Sequence, residues 1–158
     1  RYPGFSVAGR YDDGQTWQQK ILNCYNQQGG AEKVGWAIDD GGGVFAHTWI
    51  IPGQLPRYEC QNFRNDQGQE SIIMYDSLYG SQAWRVSGAI WEYYRYGYNG
   101  HYGPDIRLPN GKKLGAPKGA EQNSIQLFEN GYYHVKISMP WIGKSLAKSS
   151  DGNATLKY

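Results

Sequence analysis

Two stretches of this chain carry the same ordered set of residues. In the second, Gly88-Ala89-Ile90 leads to Tyr94, then to Leu114-Gly115-Ala116-Pro117, then to Gln126-Leu127-Phe128-Glu129-Asn130-Gly131-Tyr132. In the first, Ile21 leads to Tyr25, Gly29-Gly30, Val34-Gly35-Trp36-Ala37, Gln61-Asn62-Phe63 and Gly68, with Ile72-Ile73 beyond. A repeated unit cannot bury its apolar face alone, so repeats of this kind stack and share a core. That architecture favours a binding or assembly surface over a one-pocket enzyme.

The repeat predicts a local plan. Trp17, Ile21, Cys24 and Tyr25 fall at i, i+4, i+7 and i+8, the stripe of a helix that Gly29-Gly30 ends. A hairpin follows, Tyr58–Phe63 and Ser71–Tyr75 around Asn65-Asp66-Gln67-Gly68, and Val44–Ile51 reads as a separate strand. In the second copy Val86, Ala89, Ile90, Tyr93 and Tyr94 make the helical stripe. Strands Ser124–Phe128 and Tyr132–Met139 flank the turn at Glu129-Asn130-Gly131. The expected fold class is α+β: two helix-plus-β-hairpin units, about 17–75 and about 88–135, in one domain spanning 1–158. Extended arms are expected at both ends: residues 1–16 read as an extended arm or an edge strand at Phe5–Val7, and 143–158 as a loose tail.

Composition narrows the function classes. The chain has 158 residues, enough for a core of its own, and a net charge of +2 with charged residues at only 19%. No basic run exceeds Lys112-Lys113, which argues against a nucleic-acid partner. No apolar segment approaches the roughly 18 residues of a membrane span. The chain opens with Arg1 and shows no apolar leader, consistent with removal of a signal peptide. Its two cysteines, Cys24 and Cys60, either pair or stay buried as thiols. The even count and the Tyr-, Gly- and Asn-rich composition favour the disulfide, and with it an extracellular address. Asn153-Ala154-Thr155 is a glycosylation sequon.

The helix with Ile-x-x-x-Tyr, the glycine pair, Leu-Gly-x-Pro and Gln-x-Phe-x-x-Gly-Tyr together resemble the LGFP repeat. The second unit carries the pattern at Ile90, Tyr94, Leu114, Gly115, Pro117, Gln126, Phe128, Gly131 and Tyr132. The first is degenerate, with Val34-Gly35-Trp36-Ala37 in place of Leu-Gly-x-Pro and an insertion before Phe63. The resemblance implies a secreted module attached to envelope polysaccharide, often appended to cell-wall enzymes. Two units are too few to close the propeller-like ring of longer arrays.

Aromatic residues make up 15% of the chain, and exposed Trp and Tyr stack on the apolar faces of sugar rings. The densest cluster holds Trp91, Tyr93, Tyr94, Tyr96, Tyr98 and Tyr102, with Arg95, Asn99 and His101 between them. Ile90, Tyr93 and Tyr94 are expected to face inward. The expected glycan-binding set is therefore Trp91, Arg95, Tyr96, Tyr98, Asn99, His101 and Tyr102, with Trp36 from the first unit; Trp49 is a weaker candidate on a core strand.

Catalytic chemistry finds little support. Asp12-Asp13 and Asp39-Asp40 precede glycine, as turn aspartates do, and with Asp105 they form no calcium loop. Glu92 and Asp105 could be imagined as a hydrolytic pair, but no local pattern singles them out. His47, His101 and His134 lack metal-ligand spacing, and a Cys24 nucleophile beside His47 or His134 is lost if Cys24 pairs. The expectation is a secreted, non-catalytic surface module that binds envelope or extracellular polysaccharide, with no cofactor, no metal, no nucleic acid and no membrane span. The alternative is a structural subunit that self-associates through its terminal arms into a filament or matrix. A hydrolase acting on polysaccharide or cell wall is the third reading.

Overall fold

The computed structural model, which describes residues 5–8, 16–41, 57–97, 100–135 and 154–157, has an α+β architecture of helices and antiparallel sheets. The chain divides into two compact units, residues 1–85 and 86–158.

In the first unit, helix α1 (Thr16–Gln27) buries Gln18, Ile21, Cys24 and Tyr25, the side that the apolar spacing marks out. A short helix α2 (Gly30–Lys33) leads to β1 (Trp36–Ala37). Strands β2 (Tyr58–Arg64) and β3 (Glu70–Asp76) form the hairpin, and β4 (Trp84–Ser87) completes a sheet ordered β1-β2-β3-β4. Glu59, Gln61 and Phe63 on β2 share a face with Tyr75, Ile73 and Ser71 on β3 through the register Gln61↔Ile73. The helix packs on that face: Ile21, Cys24, Tyr25, Val34, Ala37, Phe63, Ile73, Tyr75 and Ala83 form one core, with Phe5, Val7, Trp17 and Leu22 against it.

In the second unit, helix α3 (Gly88–Tyr96) buries Ile90, Trp91, Tyr93 and Tyr94. A 3-10 turn at Gly103–Asp105 follows, and the sheet is ordered β5 (Ile125–Leu127), β6 (Tyr132–Val135), β7 (Ala154–Lys157). Tyr94 and Phe128 lie 4.9 Å apart between ring centroids, and Tyr133 meets Phe128 edge-on at 5.5 Å.

The matched residues of the two copies make matched bonds. Tyr25 Oη donates to the Gly35 carbonyl at 2.7 Å, and Tyr94 Oη to the Gly115 carbonyl at 2.8 Å. Gln61 Nε2 donates to the Asp39 carbonyl at 2.9 Å, and Gln126 Nε2 to the Gly119 carbonyl at 3.0 Å. Asn65 Nδ2 reaches the Lys33 carbonyl at 3.2 Å, and Asn130 Nδ2 the Lys113 carbonyl at 2.7 Å. Ala37 stands opposite Phe63 as Pro117 stands opposite Phe128. These bonds explain why Tyr, Gln and Asn recur: each saturates a main-chain carbonyl in a short connector that has little ladder of its own. The recurrent glycine has a steric cause. At Gly35, φ is +95° and an added Cβ would lie 2.1 Å from the Arg64 carbonyl oxygen. Gly115, at φ +82°, is pressed against the Glu129 side chain in the corresponding way.

Four expectations need correction. Cys24 and Cys60 are separate buried thiols with no disulfide between them. Cys24 belongs to the core on the Gln61–Phe63 face of the sheet, whereas Cys60, one residue from Gln61, points to the opposite face. Phe5–Val7 is not an edge strand: the segment is tied to β2 by one side chain, Gln61 Oε1 accepting from the Ala8 N–H and Gln61 Nε2 donating to the Ser6 carbonyl, both at 2.9 Å. Val86 lies in β4, not on the helix, because the chain turns at Gly88 with φ +61° and α3 begins there. Residues 154–157 are not a loose tail: Ala154–Lys157 pairs antiparallel with β6, Tyr133 opposite Leu156. The predicted strand Val44–Ile51, His47 and Trp49 within it, most of both arms and Asn153 lie outside the described residues.

Candidate functional site

The end of α3 is built by a close backbone crossing. The Gly97 N–H caps the helix on the Tyr93 carbonyl at 2.9 Å. An added Cβ at Gly97 would lie 1.9 Å from the His101 carbonyl oxygen and 2.9 Å from Tyr102 Cα, so only glycine lets residues 101–102 fold back against the helix end. Four of the expected ligand residues thereby come together around one contact: Arg95 and Tyr96 on the last turn, His101 and Tyr102 on the returning chain. Tyr102 is 53% exposed, and its carbonyl accepts from the Asp105 N–H at 3.0 Å, which ties it to the 3-10 turn. The Arg95 guanidinium sits 5.4 Å from the Tyr96 ring centroid and 5.7 Å from that of Trp91. The helix end thus carries the Arg95–Tyr96 pair, and the exposed Tyr102 sits on the chain that returns to it, residue types able to meet an apolar ring face and to hydrogen-bond hydroxyls.

Trp91 does not belong to that surface. Its side chain is 1% exposed, covered as part of the core, and Arg95 one turn later lies over its ring. A ligand cannot stack on it. Tyr98 and Asn99 lie outside the described residues. Trp36 is half-buried on β1 of the other unit, on the face opposite Ala37, and its counterpart in the second copy is Ala116. Asp105 forms an ion pair with Lys113 at 3.2 Å, a structural partner for a residue considered above as a hydrolytic acid. Asp39 is a turn aspartate, accepting from the Gly41 N–H at 3.1 Å and the Asn62 N–H at 3.0 Å. Burial raises its pKa above the usual carboxylate range. Among the described residues no three His, Cys, Asp or Glu side chains converge as metal ligands, and no helix is long and apolar enough to cross a membrane.

Sequence reasoning missed two exposed apolar features. Leu127 and Tyr132 are direct cross-strand partners on the outer face of β5–β6, 54% and 37% exposed. Strand alternation around the buried Gln126 and Tyr133 was the available signal. In the first unit Leu78 and Tyr79 project from the turn after β3. That turn is fixed by Asp76, which takes a fork of two 3.1 Å bonds from Arg57 and a further one from the Leu78 N–H at 3.0 Å. Arg57 also lies 5.4 Å from the Tyr79 ring centroid.

Compared with protein-family models, with curated proteins and with solved structures, the chain matches none.

Proposed function

We propose that this chain is a secreted, LGFP-repeat-like surface module that recognises envelope or extracellular polysaccharide without making or breaking bonds. The binding surface is the end of α3, with Tyr102 and Tyr96 stacking on sugar rings and Arg95 and His101 bonding their hydroxyls. The observation that supports this most is the crossing at Gly97, which returns the chain carrying the exposed Tyr102 to the helix end that carries Arg95 and Tyr96. The matched bonds of the two copies add to it, since they provide a frame that carries these side chains at its rim. A glycan array followed by calorimetry on Tyr102→Ala and Tyr96→Ala tests the reading. Base-ring stacking on aromatic side chains is worth about 1–3 kcal/mol, and a sugar face of similar area sets a tenfold or larger loss of affinity as the expectation. Undiminished binding to every glycan the parent recognises removes the site.

Self-association is the second reading, favoured by the exposed Leu127–Tyr132 pair. Light scattering of the full chain against Leu127→Lys decides it: an assembly that the charge disperses supports a structural subunit, and a parent that stays monomeric at high concentration rejects it.

A further inference from the structure

The first unit contains a polar cleft of about 150 Å³ that none of the sequence expectations includes. Lys20, Asn23 and Gln27 line it from one face of α1, Ser81 and Gln82 face them from the segment before β4, and Cys24 forms the floor. The repeat explains its origin. Aligning Tyr25 with Tyr94 places Cys24 where the second copy has Tyr93, and the hairpin register places Ile73 where the second copy has Tyr133. In the second copy those two rings are buried 6.2 Å apart. In the first a thiol and an isoleucine occupy the same positions: Ile73 is buried in the core, and the small Cys24 side chain borders the open cleft beside Ala83.

The lining has a definite chemistry. Three amides and a hydroxyl each both donate and accept, which suits hydroxyl groups. Lys20 adds one cation. Arg85, whose main chain bonds the Cys24 sulfur, adds positive potential at the floor. Burial outweighs that cation and pushes the Cys24 thiol up to about 11, so the floor is a neutral, unreactive group. A cavity of about 150 Å³ accepts one six-membered ring.

We propose that this cleft binds a single hydroxylated ring carrying a carboxylate, a sugar acid, with the carboxylate on Lys20 and the hydroxyls on Asn23, Gln27, Ser81 and Gln82. The site lies wholly in the first unit and stands or falls apart from the tyrosine surface at the end of α3.

The probes are D-glucuronate and D-glucose, titrated into the full-length, isotope-labelled protein and followed by amide chemical shifts. Glucuronate is expected to move the amides of Asn23, Cys24, Gln27, Ser81 and Gln82 with saturation, and glucose to bind more weakly by about tenfold, the worth of one charge-assisted hydrogen bond. Lys20→Gln, a change at a half-buried side chain outside the core cluster, is expected to bring glucuronate down to the glucose level. Cys24→Tyr, which installs the second copy's residue, is expected to abolish both responses while far-UV circular dichroism is retained. Absence of saturable shifts at these amides with either sugar overturns the proposal, and so does a glucuronate response that Lys20→Gln leaves unchanged. Tyr102→Ala serves as the control: it should leave the cleft titration untouched.

Discussion

Replacing Gly35 by alanine tests why the repeat keeps its glycine. Two costs add at this position. The left-handed φ of +95° is strained for any residue with a Cβ, at about 1–2 kcal/mol. The new Cβ would also meet main-chain atoms of Arg64 and Asn65 at 2.1–2.5 Å. Neither can yield as a flexible side chain would, and such overpacking costs about 1–3 kcal/mol more. Gly35→Ala should therefore destabilise the protein by about 2–5 kcal/mol. Gly68 provides the comparison, because it has φ +79° and nothing within 4 Å of an added Cβ. Gly68→Ala should cost only the conformational term, about 1–2 kcal/mol. The gain from a stiffer unfolded chain is common to both and cancels. Urea denaturation followed by tryptophan fluorescence and circular dichroism measures the pair through their midpoints. Equal midpoint shifts for the two variants would refute the close-approach explanation of the conserved geometry between copies.

Asn65→Ala removes a side chain whose Oδ1 accepts from the Gln67 and Gln69 N–H groups and whose Nδ2 serves the Lys33 carbonyl and Gln69 Oε1. A loss of about 2–4 kcal/mol is expected from calorimetry, and a change under 1 kcal/mol would show the network to be dispensable. Burial holds the Glu59 carboxyl up at about 7, against an unfolded value near 4.3. The folded state thus binds this proton more tightly than the unfolded state. Its contribution to stability is complete below about pH 4.3 and is lost as pH rises through about 7. Glu59→Gln should flatten the fall in urea midpoint between about pH 5 and about pH 8, and an unaltered slope would exclude Glu59 as its source. Thiol titration in denaturant without reductant should count both Cys24 and Cys60. A count of zero would restore the disulfide.

Much of the fold was legible because its determinants are local. The stripe of Ile21, Cys24 and Tyr25 marks the buried side of α1, and the turn Asn65–Gly68 sits between two strands of 7 residues each, as its residue types require. Cys60 was also legible in principle: it is one residue from Gln61 and three from Phe63, hence on the face away from α1. The even cysteine count and the composition, which favour a disulfide, carry no information on which strand face a cysteine occupies. Trp91 was not legible in that way. A periodic stripe identifies one buried side of a helix, whereas α3 is covered over a wider arc that takes in Ile90, Trp91, Tyr93 and Tyr94. Only tertiary packing decides that arc. β4 was hidden for a different reason, since Val86 stands four residues before Ile90 and fits the helical spacing, while the turn at Gly88 separates them. At the candidate site, residue types pointed to Arg95, Tyr96, His101 and Tyr102, but their meeting depends on the Gly97 crossing, which no spacing encodes.

Two copies of one frame in a single chain invite misfolding by exchange, with the helix of one copy docking on the hairpin of the other. The unequal pairs Cys24 with Ile73 and Tyr93 with Tyr133 oppose it. An exchanged α3 would part Tyr93 from the Tyr133 ring that lies 6.2 Å away in the correct pairing, and an exchanged α1 would leave Tyr133 facing the smaller Cys24. Either error loses packing that the correct pairing keeps, so size mismatch at this one layer acts as a key that returns each helix to its own sheet.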